Sequence, residues 1–286
     1  MATSVRTRVS AWVGRCLGGL AVAVVFALAA TPAFATTISN WKYTATDQVA
    51  YTFTDISSTG TKVLSNTDDT STTQNLGFTF NFYGANFTQA SISSNGLLTF
   101  SATANNAYTN VNFTTTGTSV NAPTIAGFYD DLNFRTSNDA TADGVYIQTI
   151  GSTVGSRIFV VQWNKASHYP QAGVTFTGEI TYEVVLYEGS NNFLFSYSDA
   201  TWSGATGYDY GASATVGIRD TSGQTNGRRL QWSFNTASLS NGYTILFTPE
   251  PGTFALFGAG AAGLAVAVRS RRKKRGKRVH GDTRAV

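Results

Sequence analysis

The chain has 286 residues, and its 20 basic and 16 acidic residues give a formal net charge of +4. The basic residues are concentrated at the two ends: residues 1–35 hold three and no acid, and residues 269–286 hold nine with one acid. The region 36–268 therefore carries a net charge of −7, from eight basic and fifteen acidic residues. This sign excludes an electropositive groove for phosphates, and with it a role in binding nucleic acid.

The first 35 residues have the pattern of a cleavable secretory signal peptide. Three arginines precede an almost unbroken apolar run at 17–30, and Ala33 and Ala35 supply the small residues that signal peptidase accepts. A permanent anchor is the alternative, but the run is shorter than the about 20 residues of a membrane span. We expect cleavage after Ala35. Because cleavage removes Cys16, the mature chain has no cysteine, which excludes disulfides and thiolate chemistry.

The C-terminal segment, 249–286, combines three features in a fixed order. Pro249, Glu250 and Pro251 come first, an apolar stretch at 253–268 follows, and a basic cluster at 269–278 comes last. Because proline continues neither a strand ladder nor a helix, we place the end of the preceding domain at 248. The apolar stretch predicts a single short transmembrane helix of about 24 Å, whose basic end stays in the cytoplasm.

This order of motif, span and basic cluster resembles the PEP-CTERM sorting domain of bacterial exported proteins. The resemblance is carried by Pro249, Glu250, Pro251, the 253–268 span and the arginines that follow. It implies that an exosortase in the inner membrane recognises the motif and removes the tail. It also implies a double-membraned bacterium with an extracellular polysaccharide matrix, a transient inner-membrane anchor, and a final place at the cell surface or in the matrix. An ordinary tail anchor is the alternative.

The region 36–248 predicts one all-β domain. Apolar side chains alternate with polar ones at Phe78, Phe80 and Phe82, and Asn95-Gly96 between two such runs is a hairpin signal. Later strands are predicted at 144–150, 157–164, 175–187, 192–197, 214–220, 230–234 and 243–247. Roughly ten to thirteen short strands at this spacing favour a two-sheet antiparallel β-sandwich, jelly-roll-like, over a barrel or propeller.

The same region resembles the nidogen-like extracellular module and its bacterial relatives. The motifs that carry the resemblance lie, in order, at 80–84, 94–100, 125–131, 159–163, 182–187, 193–197 and 215–218. It implies an adhesion or accessory β-domain of a secreted protein. It implies no catalytic residues.

The residues themselves give no support to catalysis. His168 is the only histidine of the central domain, and no G-x-S-x-G nucleophile elbow occurs. Glu179 and Glu183 share one face of a predicted strand, but four residues separate them by about 13 Å, and we expect both to face solvent. We therefore predict that the protein is not an enzyme.

An acidic loop at 129–144 is the candidate for a metal site. Its candidate ligands for Ca²⁺ are Asp130, Asp131, Asn133, Asp139 and Asp143. Calcium binds six to eight oxygens from flexible loops, although the spacing here is not that of an EF-hand. In the alternative interpretation these side chains cap turns through their own backbone.

Three aromatic residues in a loop rich in glycine, serine and alanine are the candidates for binding a sugar. Trp202, Tyr208 and Tyr210 lie at 198–212, and aromatic rings stack on pyranose rings when they are exposed. In the alternative interpretation they close the edge of the sandwich. Two functions follow: a non-enzymatic surface or matrix protein, or an adhesion module that binds an extracellular polysaccharide or a surface protein.

Overall fold

The computed structural model describes residues 36–250, apart from 41, 102–104, 116–119, 121, 136–141, 204–206 and 222–226. Several features predicted from the sequence lie outside the described residues: the signal peptide with Ala33 and Ala35, Pro251, the span 253–268, the basic cluster and Asp139. No helix in the described part of the chain is long and apolar enough to cross a membrane.

Regular structure within the described residues consists of strands and one short 3₁₀ helix, Asp209–Gly211. The strands are β1 (Thr37–Asn40), β2 (Tyr43–Thr46), β3 (Thr61–Leu64), β4 (Ser71–Phe82), β5 (Ala85–Ser93), β6 (Leu97–Thr99), β7 (Thr124–Tyr129), β8 (Leu132–Asn133), β9 (Gly144–Ile150), β10 (Ile158–His168), β11 (Ile180–Tyr187), β12 (Phe193–Asp199), β13 (Thr215–Arg219), β14 (Arg229–Phe234) and β15 (Tyr243–Pro249).

The strands form two antiparallel sheets, as the sequence predicts. The larger sheet has the order β1-β2-β15-β12-β11-β10-β9-β3, with β8 added beside β10, and the smaller has the order β14-β13-β7-β6-β5-β4. Every pairing between described strands is antiparallel. The all-β, two-sheet class is therefore confirmed.

Alternation of apolar residues builds the core between the sheets. On β4, Phe78, Phe80 and Phe82 are buried, while the residues between them are exposed or half-buried. Phe82 meets Phe193 of the larger sheet at a centroid distance of 6.0 Å. Rings edge-on or offset at this distance stabilise a core beyond the area they bury, so this cluster joins the two sheets.

The predicted hairpin at Asn95-Gly96 joins β5 to β6. Gly96 has φ +78°, a conformation that L side chains rarely adopt, and a Cβ at this position would lie 1.9 Å from the backbone oxygen of Phe128. Only glycine fits where the turn presses against β7. The hairpin prediction is confirmed, and the reason for the glycine is a tertiary contact as well as the turn.

A segment without regular structure, 51–57, covers part of the outer face of the larger sheet. Its alternate backbone amides donate to side chains in one row across the sheet: Thr52 N to Thr244 Oγ1 at 3.3 Å, Thr54 N to both carboxylate oxygens of Glu183 at 3.1 Å, and Ile56 N to Gln162 Oε1 at 2.7 Å. Ile56 also packs with Val160 and Val185 on this face. The segment therefore buries polar groups that would otherwise face solvent.

The prediction that Glu183 faces solvent is wrong, because this segment covers it. Its side chain is 1 % exposed, and burial raises the pKa of Glu183 to about 7, against the hydrogen bond from Thr54. Glu179 precedes β11 and so does not share a strand with it. The period of two placed Glu183 on the outer face correctly, but sequence patterns give no sign of a covering segment more than 100 residues away.

The last strand runs one residue beyond the predicted domain end at 248. Pro249 closes β15 opposite Tyr43, and the amide of Glu250 donates to the backbone oxygen of Lys42 at 2.7 Å. Proline is tolerated at the end of a strand because only its N–H is missing, and the following residue supplies the next donor. The first two residues of the predicted sorting motif are thus attached to the larger sheet.

The burial of Glu183 predicts a pH-dependent stability. Because the pKa of Glu183 is raised in the folded state, the folded chain keeps a proton between about pH 4.5 and 7 that the unfolded chain has released. This proton stabilises the folded state, and the stabilisation declines across this range and is lost as the pH rises through 7. The side chain of Glu183→Gln stays neutral at every pH, so the variant does not lose this stabilisation. We expect the unfolding free energy of the variant, relative to that of wild type, to rise by about 2 kcal/mol from pH 5 to pH 8. Urea unfolding across this range measures the difference.

Glu188→Gln is the matched control. Glu188 is held by Arg157 at 2.6 Å, and this hydrogen bond lowers the pKa of Glu188 to about 2. The stabilisation from the charged Glu188 is complete above the ordinary pKa of a glutamate and is lost only in acid. The difference in unfolding free energy between Glu188→Gln and wild type should therefore be constant from pH 5 to 8. A constant difference for Glu183→Gln as well would contradict the account.

Candidate functional site

The chain changes sheets at an acidic corner. Asp130 and Asp131 lie between β7 of the smaller sheet and β8, which pairs with β10 of the larger sheet. The backbone oxygen of Asp131 accepts a hydrogen bond from Tyr169 N at 2.8 Å, which ties the corner to the end of β10. Two carboxylates are thus positioned at one end of the sandwich by strands on both sides.

A buried amide side chain, that of Asn95, connects this corner to two other segments. Its Oδ1 accepts from Leu132 N at 3.0 Å, and its Nδ2 donates to Asp69 Oδ1 at 2.9 Å and to the backbone oxygen of Asn106 at 3.2 Å. Asn106 Nδ2 in turn donates to the backbone oxygen of Asp69 at 2.6 Å. These bonds hold the turn at 67–70 against the corner.

Three carboxylates meet where these segments converge. One oxygen from each of Asp68, Asp69 and Asp131 lies within 4.8 Å of one from both others. Burial raises the pKa of Asp131 to about 6, and the charges of Asp69 and Asp68 add to the rise while His168 opposes it. Burial and the charge of Asp69 likewise raise the pKa of Asp68, against Arg135. Burial is the largest cause of both shifts, and the neighbouring carboxylates add to it.

Of the predicted calcium ligands, the structure places Asp131 alone in this group of three carboxylates. Asp130 accepts from Ser213 Oγ through one oxygen and lies 3.4 Å from His168 Nε2 through the other. Asn133 Oδ1 accepts from Arg135 N at 2.7 Å, which is turn capping. Asp143 is buried at the residue before β9.

Asp68 and Asp69 were missed by the sequence analysis. They form an acidic pair in a polar turn, and both Asn66 and Asp69 have positive φ, at 48° and 45°. The pair is an ordinary turn signal in sequence. Only the packing of the two sheets brings Asp68 and Asp69 close to Asp131, which lies more than 60 residues further along the chain.

An open cleft of about 550 Å³ lies beside the corner. Its lining combines tyrosine rings with amide, hydroxyl and carboxyl groups: Tyr108, Thr109, Asn110, Asp130, Asp131, His168, Gln171, Gly207, Tyr208, Ala212, Ser213 and Asn235. Asn110 is fixed by hydrogen bonds from its Nδ2 to Asn235 Oδ1 at 2.7 Å and to Thr215 Oγ1 at 3.3 Å. The side-chain amide of Asn110 is therefore preorganised.

The three predicted sugar-binding aromatics have different positions. Trp202 is fully buried, and its Nε1 donates to the backbone oxygen of Ala166 at 3.0 Å. The prediction that the ring of Trp202 is exposed is therefore wrong. Tyr208 lines the cleft and meets His168 edge-on at 4.8 Å. Tyr210 is 40 % exposed but does not line the cleft. Tyr108, 51 % exposed and missed from the sequence, does line it.

His168 is part of the wall of the cleft and of the core. Its Nδ1 lies 2.7 Å from the backbone oxygen of Tyr169, and its ring stacks on Phe176 at 4.6 Å. Burial alone would lower the pKa of His168, but the hydrogen bond and charge of Asp130 outweigh burial and raise it. Ser213 donates to Asp130, so the order is serine–aspartate–histidine, whereas a hydrolase triad needs histidine between the other two.

A comparison with models of known protein families shows which family the chain belongs to. A model described as NIDO related matches residues 42–258, which includes the whole of the described sandwich from Tyr43 onward. The chain belongs to the NIDO-related family. No curated protein and no solved structure matches it. The resemblance of the central domain to nidogen-like modules is thereby confirmed.

The C-terminal segment has a match of its own. A model described as the PEP-CTERM protein-sorting motif matches residues 247–273, and so includes Pro249, Glu250 and Pro251. This NIDO-related chain is therefore an exported protein with a transient membrane anchor, and exosortase is its processing partner. The resemblance of the C-terminal segment to the PEP-CTERM sorting domain is thereby confirmed.

Proposed function

We propose that this NIDO-related chain is a non-enzymatic protein of the bacterial cell surface or extracellular matrix, and that it binds a saccharide in the cleft at the acidic corner. The observation that carries the proposal is the pairing of Tyr108 and Tyr208 with fixed amide and carboxyl groups in one open cleft. Processing through the sorting motif delivers the domain to the compartment where extracellular polysaccharide is found.

The lining of the cleft suits a sugar for two reasons. The tyrosine rings offer apolar faces to the C–H faces of a pyranose, and Tyr108 is exposed enough to do so. Asn110, Asp131 and Gln171 offer donors and acceptors to ring hydroxyls. Because Asn110 is already held by Asn235 and Thr215, little conformational entropy is lost when a ligand binds.

The same cleft supports binding over catalysis. The hydroxyl of Ser213 is hydrogen-bonded to a carboxylate, and His168 is held by Tyr169 and Asp130 with its ring packed among aromatics. In a hydrolase triad the histidine contacts the hydroxyl directly, whereas here Asp130 lies between Ser213 and His168. Tyr108 and the fixed amides therefore serve recognition in this proposal.

Removal of one exposed ring tests the saccharide proposal. We expect Tyr108→Ala to weaken retention of the exported protein on a column of the producing cell's exopolysaccharide by about twofold to twelvefold, since one stacking contact is worth about 0.5–1.5 kcal/mol. Tyr51→Ala is the matched control, because Tyr51 is 43 % exposed and does not line the cleft. Equal retention of Tyr108→Ala and wild type, or equal losses in both variants, would count against the cleft.

Alanine at the three motif residues tests the route to the surface. We expect the variant with Pro249, Glu250 and Pro251 all replaced by alanine to keep its tail and accumulate in the inner membrane at full length. Its fold should persist, because alanine retains the backbone amide that Glu250 donates to Lys42. Immunoblots of inner-membrane and surface fractions measure the two forms.

Arg284→Ala, which lies beyond the matched segment 247–273, is the control and should be processed normally. If the triple variant lost its tail and reached the surface as wild type does, the segment would be a plain anchor. If it failed to insert at all, the motif would have a role in insertion that the proposal does not include.

A further inference from the structure

The three carboxylates at the corner have the spacing of ligands around one cation. One oxygen from each of Asp68, Asp69 and Asp131 lies within 4.8 Å of one from the others. Calcium–oxygen distances are about 2.3–2.6 Å, so two oxygens on opposite sides of a calcium ion are about 4.6–5.2 Å apart. A single calcium ion therefore fits among these atoms without a rearrangement of the backbone.

An unpaired buried oxygen gives independent support. The side chain of Asp68 is 8 % exposed, and its Oδ1 is buried and makes no hydrogen bond within the described part of the chain. Leaving a buried carboxylate oxygen without a partner is costly, and such groups in folded proteins are satisfied by a donor or an ion. A cation bound between the three carboxylates would supply Asp68 with such a partner.

The nearby cations do not replace an ion at this position. Arg135 Nη1 is 3.7 Å from Asp68 Oδ2, but the Arg135 side chain is 59 % exposed, and ion pairs of this kind contribute little. His168 faces Asp130. Among the described ion pairs, Arg135 alone contacts one of the three carboxylates, and His168 acts on Asp131 through its charge while it pairs with Asp130.

We propose that Asp68, Asp69 and Asp131 bind a calcium ion that fastens the 67–70 turn to the sheet-crossing corner. Oxygen ligands alone favour calcium over zinc, which selects nitrogen and sulfur. The protein is exported, and extracellular modules bind calcium with Kd of about 10⁻⁴–10⁻³ M. Asp131 also lines the cleft, so the ion fixes one of its walls. The ion site does not depend on the saccharide proposal.

Calcium alone is the probe, so the test is separate from any saccharide. The full-length chain, purified in detergent and stripped with EDTA, is titrated with CaCl₂ by calorimetry and melted with and without calcium. We expect one saturable site and a melting temperature several degrees higher when calcium is about a hundredfold over Kd. No saturable heat and no shift at 10 mM calcium would overturn the proposal.

Charge-neutral variants locate the ion. Asp69→Asn and Asp131→Asn should each lose at least tenfold in calcium affinity, yet in EDTA they should melt at or above wild type, because repulsion between carboxylates is relieved. Asp199→Asn, a carboxylate elsewhere at the end of β12, should bind as wild type does. Variants that melt lower in EDTA and bind calcium as tightly as wild type would overturn the proposal in favour of turn capping.

Arg135→Gln gives a change in the opposite direction. The arginine side chain is mostly solvated, and its backbone amide still donates to Asn133 Oδ1 in the variant, so the variant should fold. Removal of the competing cation should tighten calcium binding severalfold. Unchanged or weaker binding in Arg135→Gln would contradict the placement of the ion beside Asp68.

Discussion

The hydrogen bonds of one buried amide hold the acidic corner of this molecule together. Asn95 joins the turn at 67–70, the segment at 106 and the corner at Leu132, three stretches from different parts of the chain. The adjacent Gly96 presses against β7, so the hairpin that carries Asn95 cannot shift. Asn95 thus links the turn that carries Asp68 and Asp69 to the corner that carries Asp131.

Local patterns in the sequence were enough to predict the architecture. The alternation at Phe78, Phe80 and Phe82 and the turn at Asn95-Gly96 are properties of neighbouring residues, and both appear in the structure. The candidate site was harder, since Asp131 and Tyr208 were found from the sequence whereas Asp68 and Tyr108 were not. In the sequence, the missed residues have the pattern of ordinary turn and loop residues. They come together only when the two sheets pack, and no local pattern predicts which loops that packing brings into contact.

The two corrected burial predictions have a shared physical cause. Glu183 follows the alternation of its strand, but the 51–57 segment covers it through backbone hydrogen bonds. Trp202 lies in a loop rich in small residues, yet its ring packs edge-on against Phe128 at 5.4 Å. In both cases a contact distant in sequence decides the exposure. The sorting motif was recognised because its signal is local, although Pro249 is also the last residue of β15 and the amide of Glu250 donates to the backbone oxygen of Lys42.

Anomalous diffraction from crystals grown in calcium tests the central claim most directly, which is that the corner held by Asn95 is built to bind an ion. The account predicts an anomalous peak about 2.3–2.6 Å from carboxylate oxygens of Asp68, Asp69 and Asp131. It also predicts that Asn95 Nδ2 still donates to Asp69 in the calcium-bound structure. Calcium bound only elsewhere, with these three carboxylates hydrogen-bonded to water or to the protein alone, would contradict it.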